Sequence, residues 1–310
     1  MISQTSTYGL SQLLLSQYQN IQSSISKTSQ QISSGKVGTQ YADVKDQAGV
    51  LAAAKSKAGM IDSYTASTKD VVNRLDLYDS QLQGLSDLTQ QLRGALGDAL
   101  ANGSGTGFME KVQALYDEAV NTLNTQVDGK YIYGGSRSDV PPVNAKTLDD
   151  LVAAPTVADV FDNTTLKQTD RIDDNETVQT GLDASELATN LFQMFKDIGT
   201  FAASNGPIGA KLDQTQTAFL SSQNTAVPAV QTGIDVFAAQ NSARYKQASD
   251  ALDRHETMAA YFTKFVSDIE DADLPTAIAK LNADQVAAQA AGKMIANLNQ
   301  ISLLNYLPVA

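Results

Sequence analysis

The sequence predicts a mainly α-helical fold, in which long antiparallel, coiled-coil-like helices from both termini form a rod and a small α+β domain is inserted in the middle. Three observations predict it. The first 140 residues contain no proline, which favours long helices. Apolar residues near both termini recur at alternating steps of four and three, which is heptad spacing. The middle of the chain has paired glycines, paired prolines and β-branched residues instead.

Composition restricts the function before any motif is considered. The 310 residues include 34 Asp and Glu against 22 Lys and Arg, and the formal net charge of −12 argues against nucleic acid or an anionic membrane as a partner. There is no cysteine, no tryptophan and one histidine, which removes disulfides, thiolate metal sites and cysteine nucleophiles. We therefore expect no cofactor, no metal and no enzymatic activity.

The N-terminal sequence lacks the cationic and apolar regions of a secretory signal, and no run approaches the roughly 18 apolar residues of a membrane span. These observations favour the cytosol by default. A dedicated export machine that reads an uncleaved terminus is the alternative.

Residues 1–44 are predicted to form an N-terminal heptad helix and a turn. The face opposite the apolar stripe carries Gln and Ser rather than charged pairs, so this helix gains little stability alone and needs a partner. The sequence Ser34-Gly35-Lys36-Val37-Gly38 ends it. The stripe consists of Leu14, Tyr18, Ile21, Ile25, Thr28 and Ile32.

Residues 45–140 are predicted to form a long helical hairpin. Its first helix runs from about Asp46 to Asn102, a glycine-rich loop follows, and helical patterning resumes from Phe108 to Asp128, which makes the two helices antiparallel. The stripe of the first helix consists of Leu75, Tyr78, Leu82, Leu85, Thr89, Leu92, Leu96 and Ala99.

Residues 141–206 are predicted to form the inserted outer domain. A hairpin spans Leu166 to Thr180 with its turn at Asp173-Asp174-Asn175-Glu176, and a short amphipathic helix carries Leu187, Leu191, Phe195 and Ile198. Asn205-Gly206-Pro207 closes that helix.

Residues 207–270 are predicted to return as rod helices, and residues 271–310 as a second heptad helix. The last stripe is interrupted only by Asp284. Two interpretations stay open at this point: the terminal stripes pack on each other as an ordinary helical bundle, or they become buried only between subunits. The last stripe consists of Leu274, Ala277, Leu281, Asp284, Ala288, Ala291, Ile295 and Leu298.

Several sequence patterns resemble metal-binding or cofactor-binding motifs but lack residues or spacings that those motifs require. His255-Glu256 begins like the zinc motif H-E-x-x-H, but Ala259 stands at the second ligand position, so His255 is interpreted as a helix-packing residue. The glycines 103, 105 and 107 lack the spacing of a dinucleotide loop, and are interpreted as an inter-helix loop.

Two further candidates remain. Asp173, Asp174 and Glu176 lack the spacing of a calcium loop, which favours a solvated turn. A single histidine gives no convincing Ser-His-Asp set, whereas composition leaves a Ser-Lys dyad open.

Three segments resemble bacterial flagellins and flagellar hook-associated proteins, over roughly residues 1–143 and 220–307. The resemblance is strongest to the hook-associated proteins of the hook–filament junction. The segments are Gln31-Ile32-Ser33-Ser34-Gly35-Lys36; Gly129-Lys130-Tyr131-Ile132-Tyr133-Gly134-Gly135-Ser136; and the C-terminal run from Asp268 to Ile278 with Gln300 to Leu307.

The resemblance implies a structural protein that is secreted through the flagellar type III export apparatus with an export chaperone. It would assemble as a ring at the hook–filament junction, between a hook-side junction protein and flagellin subunits. Residues 1–44 and 271–310 would line the inner tube. The expected assembly interface consists of Leu14, Ile21, Ile25, Ile32, Leu281, Ile295, Leu298, Leu303, Leu304 and Leu307.

The alternatives are a filament flagellin, a type III needle-tip-like helical hairpin, and an enzyme with a helical stalk.

Overall fold

The computed structural model describes residues 2–38, 47–206 and 208–304, with the side chains of residues 9–298 within those ranges. The prediction of a mainly α-helical fold with a small α+β part is confirmed. Across the described residues there are seven helices and two small antiparallel hairpins. The elements are α1 (Ile2–Ser34), α2 (Ala48–Asn102), α3 (Phe108–Leu123), β1 (Gln126–Val127), β2 (Lys130–Tyr131), α4 (Leu148–Ala153), β3 (Thr169–Asp173), β4 (Glu176–Gln179), α5 (Ala184–Asn205), α6 (Gln214–Glu270) and α7 (Leu274–Leu304).

The chain divides into two compact units. The terminal unit comprises Met1–Ile61 with Thr257–Ala310, and the central unit comprises Asp62–Glu256. Helices α2 and α6 each contribute residues to both units. The boundary predicted at residue 44 lies outside the described residues.

In the terminal unit, α1 and α7 form an antiparallel pair. Lys36, just after α1, lies beside Asp271, just before α7, and the two residues form an isolated antiparallel bridge. Ser24 of α1 hydrogen-bonds to Asp284 of α7. Ser24 comes before Lys36 in the sequence, whereas its partner Asp284 comes after Asp271. The two helices therefore run in opposite directions.

In the central unit, one hydrophobic core joins α2, α3, α5 and α6 with the hairpin β3–β4. The stripe predicted from Leu75 to Ala99 is buried throughout, as expected. Asn241 of α6 donates a hydrogen bond of 2.8 Å from its side chain to the carbonyl oxygen of Leu75, and Ser86 donates one of 3.2 Å to Asp235. These contacts show that α2 and α6 are antiparallel.

Helix α3 is shorter than predicted. The pattern predicted a helix to Asp128, but α3 ends at Leu123 and the tight hairpin β1–β2 follows. The reason is local, because Asp128 and Gly129 adopt φ angles of 51° and 76°, the left-handed pair that a two-residue hairpin turn requires. The Asp-Gly dipeptide was the sequence signal for this turn.

The middle of the chain contains the predicted hairpin and helix. The turn of β3–β4 lies where expected, and α5 is longer than the predicted stripe. Helix α4, whose Thr147 and Asp150 form a capping box, and a 3₁₀ helix at Val157–Val160 were not predicted. The ring of Tyr116 from α3 contacts Phe192 and Phe195 of α5, so these residues share the core of the long helices.

We expect Leu92→Ala to lower the free energy of unfolding by about 2–5 kcal/mol, because Leu92 is fully buried in the core of the central unit. The measurement is urea denaturation followed by far-ultraviolet circular dichroism. Leu166→Ala is the matched control, since Leu166 is 69% exposed and its truncation should change the free energy by less than about 0.5 kcal/mol. Equal effects of the two variants would contradict the assignment of the core.

Candidate assembly interface

Nine of the ten predicted interface residues lie in α1 or α7, and the side chains of seven of them are described. All seven are half-buried. Leu303 and Leu304 lie in α7 but their side chains are not described, and Leu307 lies outside the described residues. The seven are Leu14, Ile21, Ile25 and Ile32 on α1, and Leu281, Ile295 and Leu298 on α7.

The most buried positions of this pair are occupied by small side chains. Thr28, on the predicted stripe of α1, is 2% exposed, and Ala277 and Ala291 of α7 are also buried. The larger residues of the same stripes keep part of their apolar surface in contact with water. Two helices can cover each other on one side only, so the pair leaves apolar area that further chains could bury.

Asp284, the one residue that interrupts the predicted stripe, has partners on both helices. Its carboxylate accepts a hydrogen bond of 2.7 Å from Ser24 of α1 and one of 2.8 Å from Lys280 of α7. Lys280 also donates to the Ser24 hydroxyl. Both side chains lower the pKa of the Asp284 carboxyl group through their hydrogen bonds, Lys280 by more than Ser24. A single polar contact in an apolar seam fixes the register of two helices, since any shift along the axis would break it.

A group of ion pairs, which we call the clasp, joins the segment after α1 to the segment before α7. It consists of Lys36, Lys55, Glu270 and Asp271. The Lys36 ammonium lies 2.7 Å from Asp271 and 3.4 Å from Glu270, and Lys55 also pairs with Glu270. The clasp includes residues from two of the segments that carry the family resemblance.

Two backbone hydrogen bonds reinforce the clasp. The amide of Val37 donates to the carbonyl of Glu270 at 2.7 Å, and the amide of Ala272 donates to the carbonyl of Gly35 at 2.9 Å. Gly35 has a φ of +70°, a conformation that glycine adopts without strain. Gly35 therefore lets the chain change direction at the end of α1, and this places Lys36 beside the carboxylates of Glu270 and Asp271.

The clasp shifts the pKa values of its members in the directions expected for ion pairs. The hydrogen bond from Lys36 lowers the pKa of Asp271, and the one from Lys55 lowers the pKa of Glu270. The hydrogen bond to Asp271 raises the pKa of Lys36. Each shift favours the charged form of its group.

Both helices also carry large apolar side chains that are exposed to solvent. The heptad analysis missed these residues because it followed one stripe on each helix, although the run Leu13-Leu14-Leu15 was a signal, since it places apolar residues on both flanks of the stripe. They are Leu10, Leu13 and Leu15 of α1, and Ile278, Val286 and Met294 of α7. Leu274, which is on the predicted stripe of α7, is exposed as well.

His255 is a buried packing residue of the central unit, as the sequence predicted. Its ring stacks on Tyr64 at 5.7 Å, and its Nε2 donates to the carbonyl oxygen of Ile172 in β3 at 2.8 Å. In the described part of the chain, no group of three or more His, Cys, Asp or Glu residues is placed to hold a metal ion.

The turn at Asp173–Glu176 is more than the solvated turn that its composition favoured. The Tyr64 hydroxyl of α2 donates a hydrogen bond of 2.8 Å to Asp174, and Arg254 of α6 lies 2.8 Å from Glu176. The acidic side chains therefore fasten the hairpin to α2 and α6. Residues 103–107 form the inter-helix loop that was predicted.

Among the described helices, none is long and apolar enough to cross a membrane.

Comparison with known proteins identifies the C-terminal part of the chain and its fold. Residues 225–307 match the model of the bacterial flagellin C-terminal helical region. The fold resembles a putative flagellar hook-associated protein from Vibrio parahaemolyticus, with a TM-score of 0.59 and 13% identity, over 71% of this chain and 96% of that one. The FlgL protein of Bacillus cereus aligns with a TM-score of 0.49 and 13% identity, over 73% of this chain and 99% of that one. No curated protein matches the sequence.

The resemblance noted from the sequence is thus confirmed, by the family model in residues 225–307 and by the fold. The C-terminal helices thus match the flagellin family model, and the fold is similar to that of a flagellar hook-associated protein.

The clasp should weaken in acid. A carboxyl group whose pKa is lowered by folding stabilises the fold above its ordinary pKa, and that contribution is lost as the pH falls through the folded-state value. Between about pH 7 and about pH 3 we therefore expect the amides of Val37 and Ala272 to lose protection from hydrogen exchange, after correction for the intrinsic rate.

The variant Lys36→Gln should have less of this protection at neutral pH and a weaker dependence on pH, because only the Lys55–Glu270 pair of the clasp remains. Lys264→Gln is the control, because Lys264 forms an exposed ion pair of 3.0 Å with Asp268 in the same unit but not in the clasp. Equal protection in the two variants, or wild-type protection that is constant from neutral to acid pH, would show that the clasp does not hold these segments together.

Proposed function

We propose that this chain is a hook-associated protein 3, a structural subunit that joins the hook of the bacterial flagellum to its filament by polymerising through its terminal helices. The observation that carries the proposal is the pair of α1 and α7, in which, among the described side chains, the seven predicted interface residues are only half-buried and seven other large apolar residues are exposed. A helix pair of this kind reaches full burial only when neighbouring chains cover it.

The contrast between the two units supports this interpretation. The central unit buries a long series of leucines and aromatic rings within one chain. In the terminal unit, among the side chains of α1 and α7 that are described, the buried ones are a threonine and two alanines. Because burial of apolar area is the main source of stability, the central unit is expected to fold alone and the terminal pair to gain its stability on assembly.

The proposed partners follow from this role. Copies of the chain would form a ring, with a hook-side junction protein on one side and flagellin subunits on the other. A flagellar export chaperone and the type III apparatus would deliver the chain to the flagellum outside the cell. Residues 1–44 and 271–310 would be the assembly segments, residues 45–140 and 207–270 the supporting helices, and residues 141–206 the variable outer domain.

A filament flagellin is the second candidate, because the family model that matches residues 225–307 is that of the flagellin C-terminal helical region. The two candidates use the same type of interface but differ in where growth stops. A flagellin would extend into long filaments, whereas a junction protein would stop at a short ring.

Ile295→Asp is expected to abolish assembly while residues 45–270 remain folded. A carboxylate in an apolar seam between chains costs several kcal/mol, to order of magnitude, in every subunit. Assembly is measured by light scattering and negative-stain electron microscopy, and folding of the central unit by circular dichroism.

Two further variants separate assembly from folding. Val286 is 67% exposed, so Val286→Asp should leave the α1–α7 pair intact and still block association. Val236 is 49% exposed on α6 in the central unit, and Val236→Asp should assemble normally. If Ile295→Asp assembled as well as Val236→Asp, the terminal stripes would be ordinary surface and the proposal would fail.

The junction role itself is tested by seeding. Purified full-length protein is mixed with preformed hooks, with preformed filaments, or with neither, and is followed by light scattering and electron microscopy. Capping of hooks without long filaments is the expected result. Long smooth filaments would identify a flagellin, and a soluble monomer with no affinity for either end would exclude both.

A further inference from the structure

The central unit contains a groove that lies outside the α1–α7 pair. A cavity of about 650 Å³ lies between the last turns of α2, the loop at residues 103–107 and the first turn of α3. We call it the α2–α3 groove. Its lining includes Gln91, Gly94, Asp98, Asn102, Phe108 and Lys111.

The loop that forms one wall of this groove is held in place by backbone contacts. The amide of Gly105 donates to the carbonyl of Gly209 at 2.7 Å, and the amide of Leu212 donates to the carbonyl of Gly103 at 2.9 Å. A side chain at position 105 would meet the side chain of Ile208 at 2.4 Å, so glycine permits this close approach. The wall is therefore in position before any ligand arrives, which lowers the entropic cost of binding.

The polar groups of the groove are available to a ligand. Asp98 and Asn102 lie on successive turns of α2, and the side chain of neither makes a hydrogen bond or ion pair within the part of the chain that the structure describes. Across from them, the Lys111 ammonium donates to the side-chain carbonyl of Gln91 at 2.8 Å. The buried ring of Phe108 and nearby alanines supply an apolar floor.

We propose that the α2–α3 groove binds a neutral oligosaccharide of two or three sugar units. Each sugar hydroxyl both donates and accepts hydrogen bonds, so it can pair with the acceptor-only carboxylate of Asp98, the donor-only ammonium of Lys111 and the amides of Asn102 and Gln91. The apolar face of a sugar ring matches the floor. The cavity volume lies in the range of small-molecule sites, roughly 300–1,000 Å³.

The same residues disfavour charged ligands. The groove holds one carboxylate, that of Asp98, and one ammonium, that of Lys111, so an anion or a cation would be attracted by one of these groups and opposed by the other, with little net electrostatic gain. A short neutral peptide is the remaining competitor, and the test below separates it from a sugar.

The test uses the full-length chain at a concentration where light scattering shows a monomer. Maltotriose, cellotriose and triacetylchitotriose are each titrated by calorimetry and observed by saturation-transfer NMR. We expect at least one trisaccharide to bind. Asp98→Ala should weaken that binding about tenfold or more, which corresponds to about 1.4 kcal/mol. Gly94→Leu should abolish it, because a side chain at Gly94 meets no atom within 4 Å and would occupy the open groove.

Gly84→Leu is the matched control. Gly84 is also an exposed glycine of α2 whose added side chain would meet nothing, but it does not line the groove, so this variant should bind like the wild type. Circular dichroism checks that all variants fold. The proposal is overturned if none of the three sugars binds at about 10 mM, or if Gly94→Leu binds as well as Gly84→Leu. It is also overturned if a neutral hexapeptide occupies the groove and the sugars do not.

Discussion

The antiparallel pairing of α1 with α7 is the constraint on which the terminal unit depends. It joins two helices that contact each other through residues up to 260 positions apart, and few of their described side chains are fully buried. Its direction and register are set by polar contacts: the clasp around Lys36 and Asp271 at one point, and the Ser24–Asp284 hydrogen bond further along. Specific polar contacts thus fix the geometry of the pair, while large apolar side chains on both of its helices stay exposed.

The central unit differs from the terminal unit in where its apolar side chains are buried. Its long helices bury their leucines within the chain, and α5 with the hairpin β3–β4 completes the same core. The buried polar groups of this core are used for attachment. Asn241 bonds to the backbone of α2, and His255 bonds to the backbone of β3. A unit that is stable alone can support a weaker assembly segment, because stability that comes only on association is absent before the subunits meet.

The long periodic segments could be predicted from the sequence, because a strict heptad of apolar residues has few structural interpretations. The stripe from Leu75 to Ala99 illustrates this. The turn at Asp173–Glu176 could be predicted for another reason, its run of turn-forming residues between two strand patterns. The end of α3 was placed too late because its polar residues continue a helical pattern, and only the Asp128-Gly129 turn stops it. The clasp could not be predicted, since it joins residues more than 200 positions apart. The exposed Val286 and Met294 were missed for a different reason, because a single stripe defines only one face of a helix.

Asp284 shows how a polar residue is accommodated on the apolar stripe of α7. Burying an aspartate without a partner costs free energy, so the sequence pattern alone marks Asp284 as an interruption of the apolar stripe. Here Ser24 and Lys280 satisfy it, and the lowered pKa of its carboxyl group follows from those hydrogen bonds. The contact contributes specificity rather than strength: α1 and α7 can form it in one register only, whereas apolar side chains in a seam tolerate several. A subunit that presents an apolar face to identical neighbours needs such a device, because the same face could otherwise pair in the wrong register within its own chain.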